Sequence, residues 1–160
     1  MTSKAEAALT IFKSYEGEEE GVGAWFQIDQ ARINLFADAT LDHQFIHIDP
    51  VKSAQLSPYK VTIAHGFLTL SLIVHLGASI APKKPAALEG VYMGVNYGLD
   101  KVRFPAPVPV DSFLRARHTM MSAELKNPNT IQVKRQVTIE LQGSDKPVCI
   151  AESLTRLMYG

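Results

Sequence analysis

The spacing of apolar positions changes character partway along the chain. Near the N-terminus, Ala5, Ala8, Leu9 and Phe12 recur at three and four residues, the period of a helix with one apolar face. Ser3-Lys4-Ala5-Glu6 has the form of a capping box, so a short first helix is predicted. "EGEEEGVG", residues 16–23, breaks it. "AWFQI", residues 24–28, reads as a strand, and Asp29 caps a second helix that turns Ile33, Leu35, Phe36 and Ala39 toward the core. Asp49-Pro50 is a cap followed by proline at the first helical position, which places residues 42–47, "DHQFIH", in the connection between two helices. A further helix starts near His65-Gly66 and ends before Pro82, because the residue preceding a proline resists the helical conformation.

Beyond Pro85 the period shortens to two. "GVYMGVNYGLDKVRF", residues 90–104, is rich in β-formers, with glycines that suggest bends or a bulge, and "PAPVPV", residues 105–110, is a connector. Residues 112–125 and 130–142 flank the turn "NPN"; the second run alternates Ile131, Val133, Val137, Ile139 and Leu141, with a slip of phase expected at Lys134-Arg135. After "GSDKP" a last strand sets Val148, Ile150, Leu154 and Met158 against Glu152 and Arg156. Helices first and an antiparallel meander afterwards is the α+β pattern.

Between Val61 and Pro82 there is no Asp, Glu, Lys or Arg, which calls for a membrane test. His65, Gly66, Thr69, Ser71, His75, Gly77 and Ser79 interrupt the run, and the part that can be helical is too short to span. A helix apolar on nearly every side is what a soluble fold buries at its centre. One such long helix plus a meander implies a sheet curled around it, the hot-dog arrangement, although other α+β folds also cradle a helix.

Composition narrows the function classes. The 160 residues suit a single domain covering 1–160, and 46% hydrophobic against 20% charged residues describes a globular chain with a real core. Sixteen basic residues balance sixteen acidic ones, so no excess field favours nucleic acid or an anionic membrane. Cys149 stands alone, which rules out an internal disulfide and, with no signal-peptide pattern at the N-terminus, points to a reducing, cytoplasmic setting.

The densest chemistry lies in "DHQFIHIDP", residues 42–50. Five residues apart in a loop, Asp42 and His47 can face each other across a small gap and hold one water between a carboxylate and an imidazole. Downstream, the amide of Gly66 at a helix start can point its N–H at a carbonyl oxygen. Together these groups suit chemistry beside a thioester carbonyl. Taken singly, Asp42 fits a turn cap and His47 a satisfied core histidine. His43, His47 and Asp49 also offer zinc-type ligands, with no cysteine or regularly spaced fourth ligand beside them. His65 reads as a hydrogen-bonding residue at the helix start, and Cys149 as a small buried hydrophobe.

"FADATLDHQFIHIDP", "TIAHGFLTLSL" and "NYGLDKVRFPAPVPV", in that order, resemble the MaoC-like (R)-specific enoyl-CoA hydratases, in particular their single-domain NodN-like branch. The resemblance implies a hot-dog homodimer that adds water to a trans-2-enoyl-CoA. It implies Asp42 and His47 as the catalytic pair and the Gly66 amide as the oxyanion site, with Gln44, His65, Asn96, Tyr97 and Gly98 around the substrate. It implies no metal or redox cofactor, CoA entering as part of the acyl-CoA substrate, and no nucleic-acid or membrane partner. Three departures stand out: Leu41 replaces the glycine often found before the aspartate, Gln44-Phe45 replaces Asn-Pro, and Val74 occupies a position often held by serine, for which Gln44 or His43 are the candidate replacements. An acyl-CoA thioesterase and a non-catalytic thioester-binding module are the other readings open to these residues.

Overall fold

In the computed structural model, which describes residues 3–160, a six-stranded antiparallel sheet curls around a short helical axis. Helix α1 (Lys4–Lys13) comes first, followed by β1 (Glu19–Val22) and β2 (Phe26–Ile28). Three helices follow: α2 (Gln30–Thr40), α3 (Phe45–Ile48) and α4 (Pro50–Leu56). The axis is α5 (Gly66–Ser71) continued by α6 (Ile73–Gly77), and the long strands are β3 (Val91–Arg103), β4 (Ser112–Asn127), β5 (Thr130–Leu141) and β6 (Cys149–Tyr159). The strand order is β1-β4-β5-β6-β3, with β2 also on β4, so β3 is an edge.

The local signals that carried a physical mechanism are realised. The Ser3 hydroxyl accepts from the Glu6 amide at 3.1 Å while the Glu6 carboxylate accepts from the Ser3 amide at 2.7 Å. Asp29 accepts from the Arg32 amide and Asp49 from the Lys52 amide, each starting its helix.

Several expectations based on pattern alone need correction. Residues 16–23 do not merely break α1, because Glu19–Val22 form a strand on β4. Its glutamates are accommodated by cations across the sheet, Glu19 by Arg117 and Glu20 by Arg135. In α2, Ile33 and Ala37 are buried whereas Leu35 and Ala39 are exposed, since a step of two residues carries a helical side chain to the far side. The axis starts at Gly66 and stops before Pro82 as expected, ending at Gly77, after which the Ser79 hydroxyl accepts from the Ala24 amide. It is not covered all round, however: Phe67 is 68% and Val74 61% exposed.

Strand β5 shows no slip of phase. Ile131, Val133, Val137 and Ile139 are all buried, with Arg135 at an inward position between them, and the irregularity lies opposite, between Met120 and Ser122 of β4. In β6 the phase is the reverse of the expected one: Cys149, Ala151, Leu157 and Tyr159 face the core, while Ile150, Leu154 and Met158 share the outer face with Glu152 and Arg156. Burial pushes the Cys149 thiol up to about 11, which suits a packed hydrophobe. Among the described residues no helix is long and apolar enough to cross a membrane.

The core has two parts. Leu68 and Leu76 of the axis pack on Leu114, Ala116, Val137, Ile139 and Ala151, and α1 covers the other end through Ala5, Ala8 and Phe12 against Met120, Ile131 and Val133. The first cluster fixes the axis to the sheet and so sets the place of Gly66.

Candidate active site

Leu41 closes α2 in the left-handed conformation, with φ 63° and ψ 22°, and this turns the chain so that Asp42 leaves the helix instead of continuing it. The connection is partly helical: the four-residue turn α3 contains His47, whereas Asp42 lies before it in non-helical chain. That break places a carboxylate oxygen of Asp42 and ring nitrogens of His47 and His65 all within 4.8 Å of one another. A gap of this size suits a water bridging two groups through bonds of about 2.8 Å.

His47 is buried, and its Nδ1–H donates to the Ile63 carbonyl at 2.7 Å, which leaves Nε2 as the free, basic nitrogen. Burial holds its pKa below the ordinary 6.5; the Ile63 bond and Asp42 oppose the shift, and the His65 ring adds to it. At neutral pH the ring is therefore an uncharged base. The His65 ring stacks on that of His47 with centroids 3.7 Å apart and 23° between planes. Its Nε2–H donates to the Asp42 carbonyl at 3.0 Å, so His65 ties the loop of the aspartate to the ring of the base.

Gly66 follows His65 at the first position of α5, where a backbone N–H has no acceptor within the helix. A Cβ here would lie 3.0 Å from the Phe104 ring, so glycine lets the chain pass close to that ring.

The remaining residues named from the sequence fall in different places. Gln44 reaches Asp42 through its backbone N–H, at 3.4 Å, and its exposed position starts α3 without a side-chain cap. His43 is engaged with Asp38 at 2.8 Å, and Asp49 caps α4, so the set His43, His47 and Asp49 is dispersed. Asn96, Tyr97 and Gly98 lie on the edge strand β3. The Tyr97 ring stacks on the Arg156 guanidinium at 3.6 Å on the outer face, whereas Asn96 lines a cavity on the inner face, as successive strand residues must diverge. Val74 sits about 12 Å along the axis from Gly66, so within the chain the Ile63 carbonyl, and no group at position 74, orients His47.

Sequence reasoning missed the supports of the loop. The Gln30 amide donates to the His47 carbonyl at 2.7 Å and accepts from the Thr62 hydroxyl at 2.5 Å, joining α2, α3 and the segment before α5. These residues are separated by as many as 32 positions, and nothing local marks them. The new grouping of Asp42, His47 and His65 has the composition of a metal site, but two stacked rings cannot both direct an in-plane lone pair at one cation.

An antiparallel sheet wrapped on a helical axis, with the Asp42 carboxylate and the His47 and His65 rings gathered just before the axis begins, is the hot-dog arrangement. Residues 12–142 match the MaoC like domain, and the chain belongs to that family. It is 47% identical over 140 residues to 3-hydroxyacyl-thioester dehydratase Z of Mycobacterium tuberculosis, covering 88% of this chain and 89% of that protein. It is 42% identical over 146 residues to Nodulation protein N of Rhizobium meliloti, covering 91% and 88%. Among solved structures, the fold is shared with the monoamine oxidase regulatory protein of Archaeoglobus fulgius at TM-score 0.73 and 21% identity, covering 93% of this chain and 94% of that one. It is shared also with the R-hydratase of Pseudomonas aeruginosa at TM-score 0.68 and 23% identity, covering 99% and 87%.

Proposed function

We propose that the protein is an (R)-specific 3-hydroxyacyl-thioester dehydratase, acting reversibly as a 2-enoyl-CoA hydratase. The observation that carries this reading is the Asp42 carboxylate within 4.8 Å of the His47 ring, with the helix-start amide of Gly66 following directly on His65, whose ring stacks on His47. Relatives named for the same chemistry support it. In the hydration direction one water sits between Asp42 and His47 Nε2. His47 takes a proton as the oxygen attacks C3, and the pair returns a proton to C2 from the same face. The Gly66 N–H steadies the thioester oxygen while enolate charge develops on it. The water oxygen ends on C3 and one hydrogen on C2 with no net oxidation or reduction, so the step calls for no redox cofactor.

The working unit we propose is a homodimer joined along β3. This strand of 13 residues is an unpaired edge on which Tyr92, Met93, Val95, Tyr97 and Leu99 are all exposed, an arrangement that soluble proteins normally cover. A cytoplasmic setting fits the single buried thiol.

Crotonyl-CoA tests the activity directly. Loss of the enoyl-thioester absorbance without release of thiol is the expected result; thiol release would mean a thioesterase, and no change in either signal would end the assignment.

A further inference from the structure

The axis makes a second close approach at its other end. A Cβ on Gly77 would fall 2.6 Å from Cε1 of His118, so only glycine lets the helix come down onto β4 at this point. Gly77, His118 and Arg135 are shared by two cavities of about 220 and 310 Å³, one toward α1 and one between α6 and the inner face of the sheet. Asn96, Ser153 and Thr155 line the second cavity. Elsewhere the inner face is mostly apolar, and here the half-buried His118, Arg135, Ser153 and Thr155 and the exposed Asn96 bring donors and acceptors to it. A cavity edged by such groups, beside a buried polar atom that lacks a partner, suits a ligand that carries a polar atom of its own.

The pairing inside the protein is incomplete. Glu20 takes two N–H groups of Arg135, at 2.5 and 3.2 Å, out of the five that a guanidinium carries. His118 Nε2 is buried with no partner. Gly66, Leu70, Ile73 and Gly77 follow one another at four, three and four residues, a single line along the helix about 16 Å long. Ile73 and Gly77 line the second cavity, so an acyl chain extended along the axis from a thioester held at Gly66 would be directed toward His118 and Arg135.

We infer that the protein selects 2-enoyl thioesters whose acyl chain carries a neutral oxygen function, a hydroxyl or a carbonyl, far from the thioester, and that His118 and Thr155 are the residues that recognise it. The inference rests on the hydratase reading and adds the substrate class. The oxygen function is neutral because Glu20, its side chain 9% exposed, already balances Arg135; a second carboxylate would be left uncompensated in a poorly solvated place. Burial, assisted by Arg135, also holds the His118 pKa down, so the ring is uncharged and can accept from a hydroxyl or donate to a carbonyl.

The test compares two long-chain 2-enoyl-CoA substrates of equal length that differ by one hydroxyl near the chain end, with kcat/KM read from the enoyl absorbance. The parent protein is expected to favour the hydroxylated substrate about tenfold, the scale of one hydrogen bond between uncharged groups. His118→Phe is expected to abolish the preference and the near-isosteric Thr155→Val to reduce it. Taking the ratio within each protein cancels any loss of folded enzyme, and Thr155→Val carries the test if His118→Phe does not fold. A ratio of one or less in the parent, or an undiminished ratio in the folded variants, overturns the inference. Crotonyl-CoA, too short to reach Gly77, separates the two levels: its hydration alongside a ratio of one sinks only the substrate class, and its failure to react sinks the hydratase reading.

Discussion

Leu41→Gly isolates the strain stored beside the loop that carries Asp42. Leu41 holds φ 63° immediately before Asp42, in the left-handed region where a Cβ crowds the following carbonyl. That conformation costs a non-glycine residue about 1–2 kcal/mol. Its side chain is 81% exposed, so deleting it forfeits almost no burial. Against the relief stands the greater freedom of glycine in the unfolded chain, about 0.4–1 kcal/mol. The difference is a net gain of roughly 0–1.6 kcal/mol, centred at about 0.8, which in a domain of this size raises Tm by up to about 6 °C. Thermal unfolding followed by circular dichroism measures it, with Leu41→Ala as the control: alanine keeps the Cβ and is expected to show no gain. A Leu41→Gly protein that melts lower than the parent, or an alanine variant stabilised just as much, would refute the claim that backbone strain at this position outweighs the freedom glycine gains on unfolding. A fall in kcat accompanying the gain would show that the strain also holds Asp42 in place.

Other outcomes follow from the same geometry. Asp42→Asn and His47→Gln are each expected to lower kcat for crotonyl-CoA by at least ~100-fold in a folded protein, as loss of a general acid/base does; near-normal turnover in either would remove that residue from the mechanism. His65→Phe keeps the ring stacked on His47 and deletes the Nε2–H bond to the Asp42 carbonyl, so a fall of about tenfold in kcat/KM is expected, with the acid limb of the pH profile moving upward as the neighbouring imidazole is lost; a fall as deep as that of His47→Gln would mean that His65 itself handles a proton. His47 and His118 both have pKa values below 6.5 in the folded chain, so the unfolded chain binds more protons below that pH, and stability is expected to drop as pH falls from about 6.5; urea midpoints that stay level from about pH 7.5 to 5.5 would contradict the sign. Val95→Lys places a charge on the exposed β3 edge and is expected to shift sedimentation toward monomer, whereas a parent protein that sediments as a monomer would sink the proposed dimer.

Whatever depends on near neighbours is legible in the chain alone. The capping box at Ser3, the caps at Asp29 and Asp49, and the four long strands can be read there because their signals act within a few residues. So can Asp42, His47 and Gly66 as chemically able groups in the right order. The face or partner that a residue meets is another matter. Glu19 to Val22 reads as a breaker because the arginines that donate to its glutamates lie about a hundred positions away on β4 and β5. Strand β6 reads with the wrong face inward because every second residue on both faces is partly apolar, and only packing against α1 and the axis chooses between them. The stack of His65 on His47, the Gln30–Thr62 support and the meeting of His118, Arg135 and Gly77 exist only once the chain is folded. A cap or a strand is stabilised by groups a few bonds apart, whereas a site is made where distant segments are pressed together, and that energy resides in the packed interior, which no short stretch of chain contains.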